Sequence, residues 1–443
     1  MKLKLLALRE TLQQSIWFIP AMLCLIALTL AVILPWAERL MPWHVADSRF
    51  FAMDVNSARD VLGVIAGSVL SVGGVVFSVT MVALTLTSGQ YGPKILRHFL
   101  GNKGSKVSLG MFLGTSLYCL LVLSRYNESD QPGITVIAAL AMTIASLIGF
   151  IHFIHRTATD LQADQIIERI GGDLETSLLE LIAPENRANR SVDTLGWRRR
   201  ARGCRPTVIA ARARGYVQTI DYPGIVAWCE AHNCVSQLRV RAGDFLLPGN
   251  GLVMLYGHSA DLDQASVEPL LDFVRTGAMR NPVQDPEFPI TQLNQLAARA
   301  LSPGINDPGT AITCIDWFSM AVAQIVDRQL PGKVFLGEDG EPRLLARYTD
   351  FSGILKAFYA PSRQFASSNV PVLISLADSL IRLAELTAFA DRLASIEEQG
   401  HLLSETTERG NHMDYDLRDF RQRYRKLLRV TSRQGCIGRS RAA

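Results

Sequence analysis

The sequence predicts an α-helical integral membrane protein: four transmembrane helices, then a cytoplasmic α+β region built from a small β-barrel-like unit and a helical domain. Three observations lead there. Four uncharged apolar runs fall within the first 155 of 443 residues, Arg and Glu crowd the remainder, and between residues 207 and 256 the apolar spacing turns to partial alternation. Charged residues make up 19% of the chain and hydrophobic ones 48%, values that an evenly mixed soluble protein would also have. Their segregation is what separates a membrane half from a water-soluble half.

The first run, Ser15 to Ala37, carries Trp17 and Trp36 near its ends, where aromatic rings favour the headgroup interface. It is too long for a signal h-region, and no small-x-small site precedes Glu38-Arg39, so a retained anchor is expected. The second run, Val61 to Thr87, holds no charge and is long enough to cross ~30 Å of hydrocarbon with tilt. The third, Val107 to Ser124, is short but sufficient. The fourth, Ile134 to Ile154, passes through His152 and His155, and the spacing of Leu161, Ile166, Ile167 and Ile170 predicts a helix emerging from the membrane. Residues 1–156 thus read as the transmembrane domain.

Cation placement sets the orientation. Lys2, Lys4, Arg9, Lys94, Arg97, Lys103 and Lys106 lie on one side, against Arg39, Arg49, Arg59 and Arg125 on the other. The excess places both termini, and the large C-terminal part, in the cytoplasm. Two of the seven cysteines, Cys24 and Cys119, fall in spans and the rest form no paired framework, as a reducing compartment predicts.

Residues 157–206 read as the emergent helix and a basic linker, in which Arg198, Arg199 and Arg200 would each gain roughly 1 kcal/mol from an anionic headgroup surface. Nucleic acid is not an expected partner: net charge is only +4 and no aromatics are interleaved with these arginines. Residues 207–260 form the small β unit around a short helix at Gly224 to His232. Its phrase "GDFLLPGNGLVML" resembles a turn of biotinyl or lipoyl carriers, but the unit contains no lysine to accept a cofactor. Cys229, His232 and Cys234 cluster in "CEAHNC" without the fourth ligand or Cys-x-x-Cys knuckle that zinc prefers, so neither metal nor cofactor is expected. Residues 261–443 read as a helical domain interrupted at "PGKVFLGEDGEPR" and closed by an Arg-rich amphipathic helix and a basic tail.

Two long stretches, "GGVVFSVTMVALTLTSGQYGPKILRHFL" (73–100) and "QDPEFPITQLNQLAARALSPGINDPGTAITCID" (284–316), resemble a family of bacterial predicted membrane proteins catalogued as domain of unknown function 2254. The resemblance covers nearly the whole chain. It implies a cytoplasmic-membrane protein and brings no catalytic residues with it.

Within the second span, Ser71, Ser78 and Thr85 recur every seven residues, with Gly67, Gly74 and Met81 beside them. This small, weakly polar stripe fits either a helix-packing seam or the lining of a pore in a homo-oligomer. No Asp, Glu, Lys or Arg lies within the four runs, which disfavours proton-coupled transport. His152 and His155, three apart, read as interfacial anchors. There is no P-loop, Gly-x-Ser-x-Gly elbow, His-Glu-x-x-His or dinucleotide fingerprint, so no enzyme is expected. In "RALSPGINDPGTA", Asp307 suits an N-cap, Pro308 the first helical position, and Ser302-Pro303-Gly304 a turn. The group Arg299, Ser302, Asn306, Asp307 and Thr310 leaves open a small-anion or subunit-contact role. The expected function is a homo-oligomeric channel lined by the second span and gated by the cytoplasmic region; the alternative is a membrane-anchored sensor or scaffold that moves nothing.

Overall fold

A computed structural model describes residues 17–40, 54–91, 103–126, 133–160, 162–182, 194–257, 264–330 and 332–442. Lys2, Lys4, Arg9, Arg49, Lys94, Arg97 and Leu161 lie outside the described residues. The chain divides into two compact units, Met1–Gln165 and Ile166–Ala443.

The first unit contains α1 (Phe18–Leu40), α2 (Val55–Tyr91), α3 (Lys103–Leu123) and α4 (Ile134–Asp160), each with a segment long and apolar enough to cross a membrane. The third helix is central and touches the other three. Its sequence explains why. Gly110 and Gly114, four apart, form a groove into which α1 settles: a Cβ at Gly110 would lie 2.8 Å from the Pro20 α-carbon, and one at Gly114 would lie 3.3 Å from the Leu23 carbonyl oxygen. The hydroxyls of α3 bind its other neighbours. Ser116 donates to the Ala66 carbonyl of α2 at 3.0 Å, Ser108 to the Gly149 carbonyl of α4 at 3.1 Å, and Thr115 meets Ser146 at 3.0 Å. In hydrocarbon no water competes for such groups, so these bonds fix the helix register.

In the second unit, α5 (Ala163–Leu181) buries Ile166, Ile167 and Ile170, the predicted emergent stripe, and packs Gly171 directly on Trp317. The basic segment expected as a linker forms a short helix, α6 (Thr194–Ala201), anchored by buried Trp197, whose indole donates to the Ser236 carbonyl at 3.1 Å. Next come β1 (Thr207–Ala210), β2 (Gly215–Ile220), α7 (Tyr222–Ala231), β3 (Val235–Leu238), β4 (Phe245–Leu246), β5 (Gly251–Tyr256), α8 (Gln264–Asp272) and β6 (Val274–Gly277). After α9 (Glu287–Ala300) and α10 (Pro308–Val326), β7 (Val334–Leu336) and β8 (Pro342–Leu345) return to the sheet. The chain ends in α11 (Phe351–Phe365), α12 (Val370–Glu385), α13 (Ala390–Arg409) and α14 (Asp414–Ala442).

The strands form two sheets, one in the order β1-β5-β3-β8-β7 and one in the order β4-β2-β6, with β3 and β8 parallel and the other pairs antiparallel. Barrel-like closure is therefore not formed among the described residues, and the sheet region is not confined to 207–260. The turn-rich break at "PGKVFLGEDGEPR" supplies β7 and the start of β8, completing the larger sheet. Long-range pairing of this kind leaves no local periodic trace. The Arg-rich last helix faces the core through Leu417, Phe420 and Leu427, with Arg423 bound to Asp378 at 3.1 Å, and it continues helically to Ala442 where the sequence predicts a basic tail.

Candidate functional site

Three places in this fold bring chemistry-bearing residues together: the outer face of α2, the junction between α9 and α10, and a charged clamp below β4.

At about 100° per residue, the apolar residues of α2 sort onto one side. Ala58, Leu62, Ile65, Val69, Val76 and Ala83 are buried, and Gly73 admits Phe112 of α3, whose Cβ would lie 3.1 Å from an added Cβ. Gly67, Ser71, Gly74, Ser78 and Thr85 are exposed on the diametrically opposite side. A Cβ at Gly67 or Gly74 would meet no atom within 4 Å. The stripe residues therefore play no part in packing this bundle. Ser71 and Thr85 donate to the Gly67 and Met81 carbonyls of their own helix, at 2.9 Å each. The seam that does hold the bundle is Gly110–Gly114, a Gly-x-x-x-Gly pattern legible in "LGMFLG" that the seven-residue spacing of α2 draws the eye away from. His152 and His155 are exposed on α4.

The junction residues are brought together as a helix link. Ser302 donates to the Arg299 carbonyl at 2.6 Å, ending α9, and the backbone then doubles back so that Asp307 N–H reaches the Ala300 carbonyl at 2.7 Å. Asp307 caps α10, accepting from the Thr310 backbone at 3.2 Å and from its hydroxyl at 2.6 Å. These bonds, the Thr310 hydroxyl foremost, hold the Asp307 carboxyl below the ordinary value. Asn306, unexplained by the sequence, sits at φ 49°, a left-handed conformation that Asn tolerates better than other residues with a side chain.

The clamp has no counterpart in the sequence pattern. Gln284 pairs with both backbone groups of Ile220, accepting at 2.8 Å and donating at 3.2 Å, as a neighbouring strand would. Asp285, 3% exposed, receives two hydrogen bonds from Arg280, at 2.6 and 2.8 Å, and lies against Gly243, where a Cβ would be 2.5 Å from its Oδ2. That contact, with φ 91°, explains why residue 243 is glycine. Burial pushes the Asp285 carboxyl up, while Arg280 pulls it back. Glu287 then takes Arg241 at 2.7 Å and the Thr349 hydroxyl at 2.8 Å. Asp285 and Asp307 are thus held by separate partners. The arrangement ties the β2 sheet and the Arg241–Asp244 turn to the start of α9, which gives the "QDPEF" motif a structural role.

In "CEAHNC", His232 stacks on Trp228 with ring centroids 4.0 Å apart, and its Nδ1 meets the Trp228 carbonyl at 2.8 Å. Cys229 and Cys234 are buried on the other side of the turn. Of the predicted lipid-facing arginines, Arg198 and Arg199 are exposed, and Arg200 is held by Glu341 at 3.0 Å and by Asn233 at 3.3 Å.

The apolar helices and the small sheet region define a predominantly helical membrane protein with several candidate spans. The family is also plain. Residues 13–382 match the model of the family described as "Predicted membrane protein (DUF2254)", and the chain belongs to it. It is 27% identical over 417 residues to uncharacterised proteins of Mycobacterium tuberculosis and Mycobacterium bovis, an overlap that covers 91% of this chain and 78% of each relative. No solved structure matches.

Proposed function

We propose that α1 to α4 span a bacterial inner membrane with both termini in the cytoplasm, and that copies of the protein associate through the outer face of α2 to form a permeation pathway. The observation that carries this is the stripe from Gly67 to Thr85, about 27 Å long at 1.5 Å per residue, on the side of α2 facing away from the bundle. A lipid-facing surface gains nothing from glycine and serine, whereas a second helix or a file of water does.

The character of α10 supports a reading with four spans rather than five. It is long and apolar enough to cross a membrane. However, it buries Cys314, Ile315, Phe318 and Val322 within the second unit, stacks Phe318 on Phe358 at 3.8 Å, and pairs its mid-helix Asp316 with Arg382 at 2.7 Å. These contacts support reading it as a core helix of a water-soluble domain. We assign Arg198 and Arg199 to anionic headgroups, and the residues Arg299, Ser302, Asn306, Asp307 and Thr310 to the helix link rather than to a ligand.

A second reading, a dry oligomeric seam serving a sensor or scaffold, is favoured by the hydroxyls of Ser71 and Thr85, which are already satisfied by their own helix. Cysteine accessibility separates the two. In reconstituted protein, Ser71→Cys and Ser78→Cys should react with small water-soluble thiol reagents if water lines the stripe. Failure to react, together with disulfide cross-linking between copies at the same positions, would leave the seam and remove the pore. A monomer that neither reacts nor cross-links would sink both.

A further inference from the structure

The C-terminus of α7 carries a second kind of chemistry. Asn233 adopts φ 45°, its N–H bonds to the Glu230 carbonyl at 3.1 Å, and the Cys234 N–H bonds to the Cys229 carbonyl at 2.9 Å. This pair of bonds around a left-handed residue is the Schellman helix stop, which brings the side chains at its two outer positions together, normally as an apolar contact. Here both positions are cysteine. Cys229 is fully buried and Cys234 is 2% exposed, and the helix stop places their side chains together on one side of the turn. A disulfide needs α-carbons within about 7 Å and converging side chains, and the helix stop is the motif that brings these two positions together.

Two arginines stand on one side, Arg343 paired with Asp339 at 2.6 Å and Arg200 with Glu341 at 3.0 Å. Arg343, 4% exposed, donates from Nη1 to the Cys234 carbonyl and to the Asn233 side chain, at 3.4 Å each, and its Nε has no partner among the described residues. Arg200 reaches the same Asn233 oxygen. On the other side Cys229 contacts the Ser236 hydroxyl at 3.1 Å. The neighbouring Cys234 thiol and burial push the Cys229 thiol up. Cys234, beside Arg343 and Arg200, is placed as the attacking thiol, and Cys229, fully buried against Ser236, as the resolving one. Zinc is a poor fit, because His232 is turned onto Trp228 and the two thiols have no third ligand among the described residues.

We propose that Cys229 and Cys234 form a redox-active dithiol that a hydroperoxide converts to a disulfide, locking the end of α7 to the start of β3. The Cys234 thiolate attacks the outer peroxide oxygen; an S–O bond forms, the O–O bond breaks, and the departing alkoxide takes a proton to become an alcohol. Cys229, losing its proton, then attacks the sulfenic sulfur of Cys234; the S–S bond forms, the S–O bond breaks, and hydroxide leaves as water with that proton. Two electrons pass from the thiols to one peroxide, which leaves as one alcohol and one water. A cellular dithiol reverses the step by thiol–disulfide exchange.

The test uses the full-length protein in lipid nanodiscs, exposed to equimolar tert-butyl hydroperoxide, quenched in acid, alkylated after denaturation and mapped by mass spectrometry. The expected result is loss of alkylation at Cys229 and Cys234 together, a cross-link between their peptides, and recovery with dithiothreitol. Cys229→Ser should stop at a dimedone-reactive sulfenic acid on Cys234, and Cys234→Ser should leave Cys229 reduced. Native protein in which both thiols stay fully alkylatable while the exposed Cys436 is oxidised would overturn the proposal. So would a cross-link that appears only when oxidant is added after unfolding. The wild-type chain alone distinguishes these outcomes, so a serine variant that fails to fold does not obscure them.

Discussion

Asn306 shows how one backbone angle can account for a residue that looks like a ligand or subunit contact. With φ at 49°, its cost is conformational, and glycine should relieve it where alanine cannot. Asn306→Gly is expected to be near neutral and Asn306→Ala to destabilise by about 1 kcal/mol, read from thermal unfolding in detergent. Asp307 adds a pH signature. Its folded carboxyl is held below the unfolded value by Thr310, so the stabilisation is fully present above the ordinary aspartate pKa of about 3.9 and is lost as pH falls through the lowered folded value. The melting-temperature gap between wild type and Asp307→Ala, worth about 1 kcal/mol as a lost cap, should shrink when both are melted below that pH; an unchanged gap would refute the linkage. Asp285 is the most consequential single side chain. Replacing it with Asn leaves Arg280 without its carboxylate in a mostly buried setting, and a loss of about 3 kcal/mol is expected by chemical denaturation. The carboxylates of 284–287 are visible as letters, but their partners, Arg241, Arg280 and Thr349, come from different parts of the chain, and no spacing rule links them.

Among elements, α2 and α3 make opposite use of small residues. Gly110→Leu forces a side chain into the Pro20 backbone, so the bundle must separate or unfold, and the variant should appear as lost thermal stability of the monomer. Gly67→Leu and Gly74→Leu meet open space and should leave the monomer's stability nearly unchanged while altering the mass of the detergent-solubilised assembly. If both α2 variants keep the wild-type mass, α2 is not the contact. Both stripes are legible in the sequence, one as a seven-residue repeat and the other as Gly-x-x-x-Gly. Which of them faces another helix of the same chain is not, because periodicity identifies a face and not its partner. The same limit applies to α14, whose arginines suit a membrane surface equally well until Leu417, Phe420 and Leu427 are placed in a core.

At the scale of the whole molecule, the proposed orientation makes the exposed Cys436 on the last helix an endogenous reporter. A membrane-impermeant maleimide should label it in inverted vesicles and not in intact cells; the reverse pattern would place the second unit outside. Apolar runs by themselves determined that this chain enters a membrane, since about 20 consecutive apolar residues have few other stable destinations. Local signals likewise determined the cap at Asp307, the helix near 224–232 and most of the strands from 207 to 256. Tertiary structure alone decided that 334–345 completes the larger sheet, that α10 packs as a core helix despite its length, that the "QDPEF" carboxylates form a clamp, and that the second-span stripe points away from its own bundle. The physical reason is common to all four: each depends on contacts between residues far apart in sequence, and burial and charge pairing are set by what arrives from elsewhere in the chain rather than by the pattern of the segment itself.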